Sequence, residues 1–327
     1  MNEYWLEERT FPRAKVALSK AQFDETVAAN KIYHALWDIE DAFALVANSF
    51  IELERFLLDV GVSYLYEQSH ASALETYFDE VRQSTNLKLL SLLTASRVYE
   101  EQSCQRASLI SDLTQSTMSF APFFAKAFDS RFTYRVMHAL RNHSMHKQLP
   151  LGGMFLHESN LAETGRLADG RATRHRTTVE PKILVRDLLE SKKVRKPTRA
   201  EIQGLGAEHL DLKFFMRGFV AGLAECHEDI RGATEQVADS SLCAIEKAQK
   251  TITNETGTEF GVVHVVRQEN DCEAESYHLH TALRHKFSET RKKWVGLKWA
   301  QNSFVSSEII KSNDTFPQSD EDVWIVK

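Results

Sequence analysis

From Ile32 to Val60 the apolar residues Ile32, Leu36, Ile39, Phe43, Val46, Phe50, Leu53, Leu57 and Val60 recur at alternating spacings of four and three. That interval places them on one face of a helix, so the segment predicts a long helix with a single buried stripe. Such a seam most often packs inside a helical bundle, although its heptad-like steps also suit a dimer interface. A second helix is expected from about Asn86 to Leu113, with Leu89, Leu90, Leu93 and Val98 on its apolar side. The connection from Glu67 to Ser84 has room for a short helix. A third helix begins near Pro122, a residue suited to a first helical turn, and carries Phe124, Phe128, Phe132, Val136 and Leu140 at intervals of four. It should stop before Pro150 and the Gly152-Gly153 pair.

Between Leu151 and Arg199 the helical period disappears. Met154 to His157 and Thr177 to Val185 read as short strands or extended segments, and Leu188 and Leu189 as the end of a short helical turn. A long helix is expected from about Glu208 to Thr253, with Phe215, Phe219, Leu223, Cys226, Ile230 and Val237 on one face. After Gly257, Glu259 to Arg267 has the alternation and β-branching of a strand, and Asp322 to Lys327 could form another. Ser312 to Asp322 is polar, acidic and flexible by composition, and no internal repeat is apparent. The pattern therefore predicts a mainly α fold: a helical bundle over residues 1–255, an irregular insertion at about 151–200, and a small mixed α/β C-terminal extension over 256–327.

Composition supports a helical chain with a real core. Of 327 residues 43% are hydrophobic, whereas only 13 are Gly and 6 Pro, too few for a fold of many tight turns. Four scattered cysteines, Cys104, Cys226, Cys243 and Cys272, show no metal-ribbon spacing and fit a reducing compartment. The first residues carry acids where a signal peptide needs a basic patch, and no run approaches ~18 apolar residues, so a cytoplasmic protein without a membrane span is expected. The net charge of −6 argues against general nucleic-acid coating. It conceals a local patch: from Arg171 to Arg199 ten Lys or Arg face three acids, a balance of +7. Such a run is commonly a solvated loop.

The third helix ends in Tyr134-Arg-Val-Met-His-Ala-Leu-Arg-Asn-His-Ser-Met-His146, an unusual density of imidazole and polar groups. At about 100° per residue, His138, Asn142 and His146 line one face. Arg141 lies about 140° around the helix from His146, so the two converge only through the long Arg side chain, a distorted last turn or a second subunit.

Arg141, Asn142, three intervening residues and His146 resemble the Arg, polar residue, short gap, His motif of the HEPN superfamily of α-helical domains. In that family the motif sits late in a long helix of a four- or five-helix bundle. The resemblance implies a metal-independent endoribonuclease without a cofactor, often a homodimer with two motifs facing across a cleft. Many members are toxins or take part in anti-phage and stress responses, often under control of a regulatory protein partner. The local context from Met137 to His146, followed shortly by Leu149-Pro150, looks like that of the bacterial members.

Cleavage of RNA through the ribose 2′-hydroxyl needs a proton acceptor, a proton donor and a positive charge on the phosphorane. Imidazole titrates near neutrality, and Arg keeps its charge and offers a planar fork to phosphate oxygens. On this reading His146 is the general base or acid, Arg141 the phosphate and transition-state clamp, and Asn142 orients the imidazole or binds substrate. Arg141 and His146 should then be solvent-accessible and reach one phosphate-sized site, within one chain or across a two-fold axis. Otherwise Arg141, His143 and His146 merely complement the dipole at a helix C-terminus, leaving a noncatalytic HEPN-like RNA- or protein-binding module. His138 and His143 are expected to be peripheral.

Arg174, Arg176, Lys192, Lys193, Arg195 and Lys196 are candidates to draw RNA toward this site. A second cluster, Arg284, Lys286, Arg291, Lys292, Lys293 and Lys298, is interleaved with Trp294 and Trp299. Such tryptophans can stack unpaired bases, but burial tendencies favour a half-buried core role. His278, His280 and His285 form a loose group with Cys272 and Glu275 nearby, and their spacing lacks a recognised ligand pattern, so no metal is expected.

Overall fold

The computed structural model describes residues 2–9, 14–66, 74–144, 149–160, 175–191, 194–257, 262–270, 272–280, 283–302 and 325–326. These are mainly helical. In chain order the elements are β1 (Asn2–Glu8), β2 (Ala14–Ala17), α1 (Lys20–Tyr66), α2 (Leu74–Thr114), α3 (Ala121–Ser130), α4 (Phe132–Ser144), β3 (Gly153–Asn160) and β4 (His175–Leu184). They continue with α5 (Val185–Glu190), α6 (Lys196–Gly204), β5 (His209–Asp211), α7 (Leu212–Thr256), β6 (Val262–Glu269), β7 (Cys272–His280), α8 (Leu283–Lys292), a 3-10 segment (Val295–Asn302) and β8 (Ile325–Val326). No helix among the described residues is long and apolar enough to cross a membrane.

All nine positions of the α1 stripe, from Ile32 to Val60, are buried. The expected α7 face is buried too, from Phe215 through Ile230, with Val237 partly covered. Two elements differ from expectation. The second helix begins at Leu74, so Leu74 to Ser84 belongs to α2 and is no separate short helix. The third is interrupted at Arg131. The reason for the break lies at Arg135, whose Nη1 donates to the carbonyls of Phe128 and Asp129 at 2.9 and 2.7 Å. These are C-terminal carbonyls of α3, groups that a helix end leaves for outside donors. The rest of the Arg135 fork is held by Glu201 of α6 at 2.8 and 2.9 Å, which fixes where α4 starts.

By internal contacts the chain forms two compact units, Met1–Phe43 with Tyr99–Phe123 and His227–Val295, and Ala44–Val98 with Phe124–Cys226 and Gly296–Lys327. In the first unit an antiparallel sheet of order β2-β1-β6-β7 lays Leu6, Val263, Val265 and Leu279 on helical residues such as Phe23, Ile32, Leu36, Ile245, Ile252 and Phe287. Each such side chain contributes about 1.5–3 kcal/mol when fully removed from water. β6 pairs with the N-terminal β1 from Asn2↔Glu269 to Glu8↔Val263, so this C-terminal strand shares its sheet with the first residues of the chain. β1 escapes a sequence reading because Glu3, Glu7 and Glu8 interrupt a strand of only seven residues.

The second unit holds the expected insertion: the short strands read at Met154–His157 and Thr177–Val185 and the turn at Leu188-Leu189 are present as β3, β4 and α5, and its described part is more regular than the irregular segment expected. β3 and β4 form a hairpin paired from Gly153↔Lys182 to Asn160↔His175, within an antiparallel sheet of order β3-β4-β5-β8. α5 and α6 follow. Here α4 packs closely against α7: a Cβ at Gly218 would stand 2.6–2.8 Å from the Thr133 side chain. One turn on, a Cβ at Gly222 would meet Arg131 and Tyr134 at 3.0 and 3.2 Å. Asn86 Oδ1 accepts from the Leu151 backbone N–H at 2.9 Å, tying the chain beyond α4 to α2.

Candidate functional site

Most of α4 is buried, because Thr133, Tyr134, Val136, Met137, Ala139 and Leu140 all turn into the second unit. What remains partly open is a stripe of Arg135, His138 and Asn142, spaced three and four apart. The sequence expectation that His138 and Asn142 share a face therefore matches the helix. Their side chains touch, with Asn142 Nδ2 3.3 Å from His138 Nδ1. Arg141 follows Met137 by one turn and goes inward with it. It is 4% exposed, which corrects the expectation of an accessible guanidinium. His143 is also buried.

Three cations from three elements act on the His138 ring. Burial lowers its pKa first, and the charges of Arg141, of Arg195 at the start of α6 and of Arg97 on α2 lower it further, to about 4. The imidazole is therefore neutral near pH 7. Phe128 of α3 stands between two of these groups, its ring edge-on to His138 at 5.4 Å, with the Arg195 guanidinium 4.7 Å from its centroid. Arg195 and Arg97 are exposed. The arrangement is a rim of guanidinium charge around a neutral imidazole and a half-buried amide, suited to an anion that also offers hydrogen-bonding groups. His138, expected to be peripheral to the motif, touches Asn142 within this arrangement.

The structure brings together Arg141, Asn142 and Arg195 from the sequence candidates. Lys196 is exposed beside Arg195, and Arg176 lies on β4, paired in register with Ser159. His146, Arg174, Lys192 and Lys193 lie outside the described residues. Part of the basic run serves the fold instead: Lys182 is buried and paired with Glu180 at 2.8 Å, and Arg199 donates to the Ser191 carbonyl at 2.6 Å. Arg97 was missed, since nothing in the helical pattern of α2 distinguishes it from any other exposed Arg.

The second basic cluster is largely spent on internal pairs. Arg284 bridges Asp239 and Glu246 at 3.0 and 2.9 Å, Lys292 pairs with Glu289 at 2.6 Å, and Arg291 bonds Thr234 at 2.8 Å. Lys286 sits 5.0 Å from the Trp37 ring centroid. Trp294 is half-buried as expected, but Trp299 is 58% exposed, against the expectation of a half-buried core residue. The His278 ring lies 5.1 Å from His264 and 4.2 Å from His280, and no three His, Cys, Asp or Glu groups among the described residues are arranged to hold a metal ion.

No family model matches the chain, and no curated protein or solved structure matches it significantly.

Proposed function

We propose that this chain is a metal-independent endoribonuclease of HEPN type, cleaving RNA by attack of a ribose 2′-hydroxyl on the adjacent phosphate. The supporting observation is the half-open His138–Asn142 pair on α4, 3.3 Å apart, in the electrostatic field of Arg141, Arg195 and Arg97, whose charges lower the His138 pKa. Arg141 supplies positive charge where the phosphorane develops, Asn142 meets the substrate, and His146 moves the proton. Exposed Arg97 and Arg195 draw in the phosphate backbone, which makes binding salt-dependent. The same reading includes a cytoplasmic homodimer, with two motifs sharing one cleft, under a regulatory protein partner in a toxin or anti-phage and stress response.

The burial of Arg141 favours a second reading, a noncatalytic HEPN-like module that binds RNA or protein and uses this Arg inside its own fold. One experiment separates the two. The full chain is incubated with an RNA pool, with and without EDTA, and product ends are assayed for 2′,3′-cyclic phosphate. Cyclic-phosphate ends that persist in EDTA and vanish in Arg141→Ala and His146→Ala support the enzyme. Intact RNA at every salt concentration overturns it. Tight RNA or protein binding by both wild type and Arg141→Ala, without cleavage, supports the binding module.

A further inference from the structure

Asn142 is half-buried whereas Arg141 is enclosed, so of these two motif residues the amide is the better placed to meet a ligand. An Asn amide is ambiguous as a reader, because it presents a donor on one side and an acceptor on the other. Here one side is taken: Nδ2 points at His138 Nδ1 over 3.3 Å. An N–H can donate to that nitrogen only if it carries a lone pair, so the ring proton belongs on Nε2. Burial and the charges of Arg141, Arg195 and Arg97 all oppose a second proton on the ring, keeping Nδ1 an acceptor throughout the neutral range. The edge-on packing of Phe128 at 5.4 Å limits ring rotation. With one Nδ2 hydrogen held at His138, the orientation of the amide is set, and Oδ1 is the acceptor that Asn142 offers to a ligand beside its second N–H.

We infer that His138 is a positioning residue that holds Asn142 with its carbonyl oxygen toward the ligand, where it accepts a hydrogen bond from a ribose 2′-hydroxyl and distinguishes RNA from DNA. This rests on the RNA reading above. The surrounding guanidinium charge meets phosphates common to both nucleic acids, whereas the 2′-hydroxyl is the donor that DNA lacks. A site built to hydrogen-bond a hydroxyl rejects the analogue without it because its polar group is left unpaired. The structure thus separates affinity, carried by Arg97 and Arg195, from sugar discrimination, carried by Asn142 through His138.

The test is fluorescence anisotropy with the full chain carrying His146→Ala, so that RNA is not cleaved, a single-stranded RNA of mixed sequence and its all-2′-deoxy counterpart, at fixed salt and pH 7 in EDTA. This parent, wild type at 138 and 142, is expected to bind the RNA about tenfold more tightly, the worth of one good hydrogen bond. His138→Ala and Asn142→Ala should bring RNA affinity down to the DNA value and leave DNA affinity unchanged. His138→Gln, whose amide oxygen can accept the same bond, should restore much of the preference. Circular dichroism of each variant monitors folding, and unchanged DNA binding is a second control that a misfolded variant would fail. Equal binding of the parent to both polymers overturns this inference while leaving the RNA reading standing. So does a preference that survives in His138→Ala. Failure to bind either polymer overturns both.

Discussion

His227 lies 3.1 Å from the Glu40 carboxylate through Nε2, while its other ring nitrogen accepts from the Tyr99 hydroxyl at 3.1 Å. All three side chains are buried in the first unit, and the imidazole stacks on Phe43 with centroids 4.0 Å apart. Arg231 grips the same carboxylate at 2.9 and 2.6 Å. The groups come from α1, α2 and α7, so the network ties together the three long helices within that unit. Glu40 supplies the only negative charge in it. Glu40→Ala leaves a buried imidazole and a part-buried guanidinium without their acceptor, and is expected to cost about 3–5 kcal/mol in denaturant-unfolding free energy. A loss under 1 kcal/mol would remove the network from any account of stability.

Acid should weaken the fold in two successive windows. Burial and three Arg charges lower the His138 pKa from 6.5 to about 4. The unfolded chain therefore takes a proton that the folded chain refuses, and this stability is complete above pH 6.5 and lost as pH falls toward 4. Burial depresses His34, His227, His264, His278 and His280 in the same direction. For Glu40, burial alone would raise the pKa, but hydrogen bonds from His227 and Arg231 bring it down to about 2. Its contribution is present above pH 4.5 and lost as pH falls through 2. Thermal midpoints measured from pH 8 to 3 should decline from about pH 6.5 downward. A flat profile between 6.5 and 4.5 would contradict the neutral assignment of these imidazoles.

Gly218 sets the distance between α4 and α7. An added methyl would fall within 2.8 Å of three Thr133 side-chain atoms, and a β-branched side chain has little freedom to withdraw. Gly218→Ala gains helix propensity but overpacks this contact, for a net loss of about 1–2 kcal/mol. Thr133→Ala in the same chain should recover part of that loss, because it removes Oγ1 and Cγ2, the two nearest of the three atoms the methyl would meet, and leaves only Cβ at 2.8 Å. Additive destabilisation in the double variant would show that the contact is not the cause.

The long helices were legible because their apolar period is unbroken: every α1 stripe residue named from the sequence is buried. The α3–α4 break was not legible, because Phe128, Phe132 and Val136 keep a four-residue rhythm straight through Arg131. What interrupts the helix is Arg135 turning back to carbonyls six and seven residues earlier, a long-range choice fixed by Glu201. The sheets were half legible: β6 announces itself with Val262, Val263, Val265 and Val266, but its partner β1 is masked by glutamates. At the site, shared helical spacing brought out His138 with Asn142. The enclosure of Arg141 depends on the packing of the Met137 row, and the arrival of Arg97 depends on α2, neither of which local spacing encodes.

The guanidinium rim makes one prediction that needs no RNA. Arg195 reaches the His138 environment from the start of α6, and its charge is among the causes that hold the ring neutral. Arg195→Ala removes that charge while leaving burial in place, so the His138 pKa should rise from about 4 yet stay below 6.5. Arg97→Ala should raise it by a smaller amount, since Arg97 is the weaker cause. Ring-proton NMR titration, with His138 assigned by its loss in His138→Gln, reads this directly. If the chain binds RNA as proposed, the same variants should weaken that binding across sequences and flatten its salt dependence by about one ion per lost phosphate contact. An unmoved His138 titration in Arg195→Ala would mean that this guanidinium does not face the ring, and Arg195 would drop out of the charges around it.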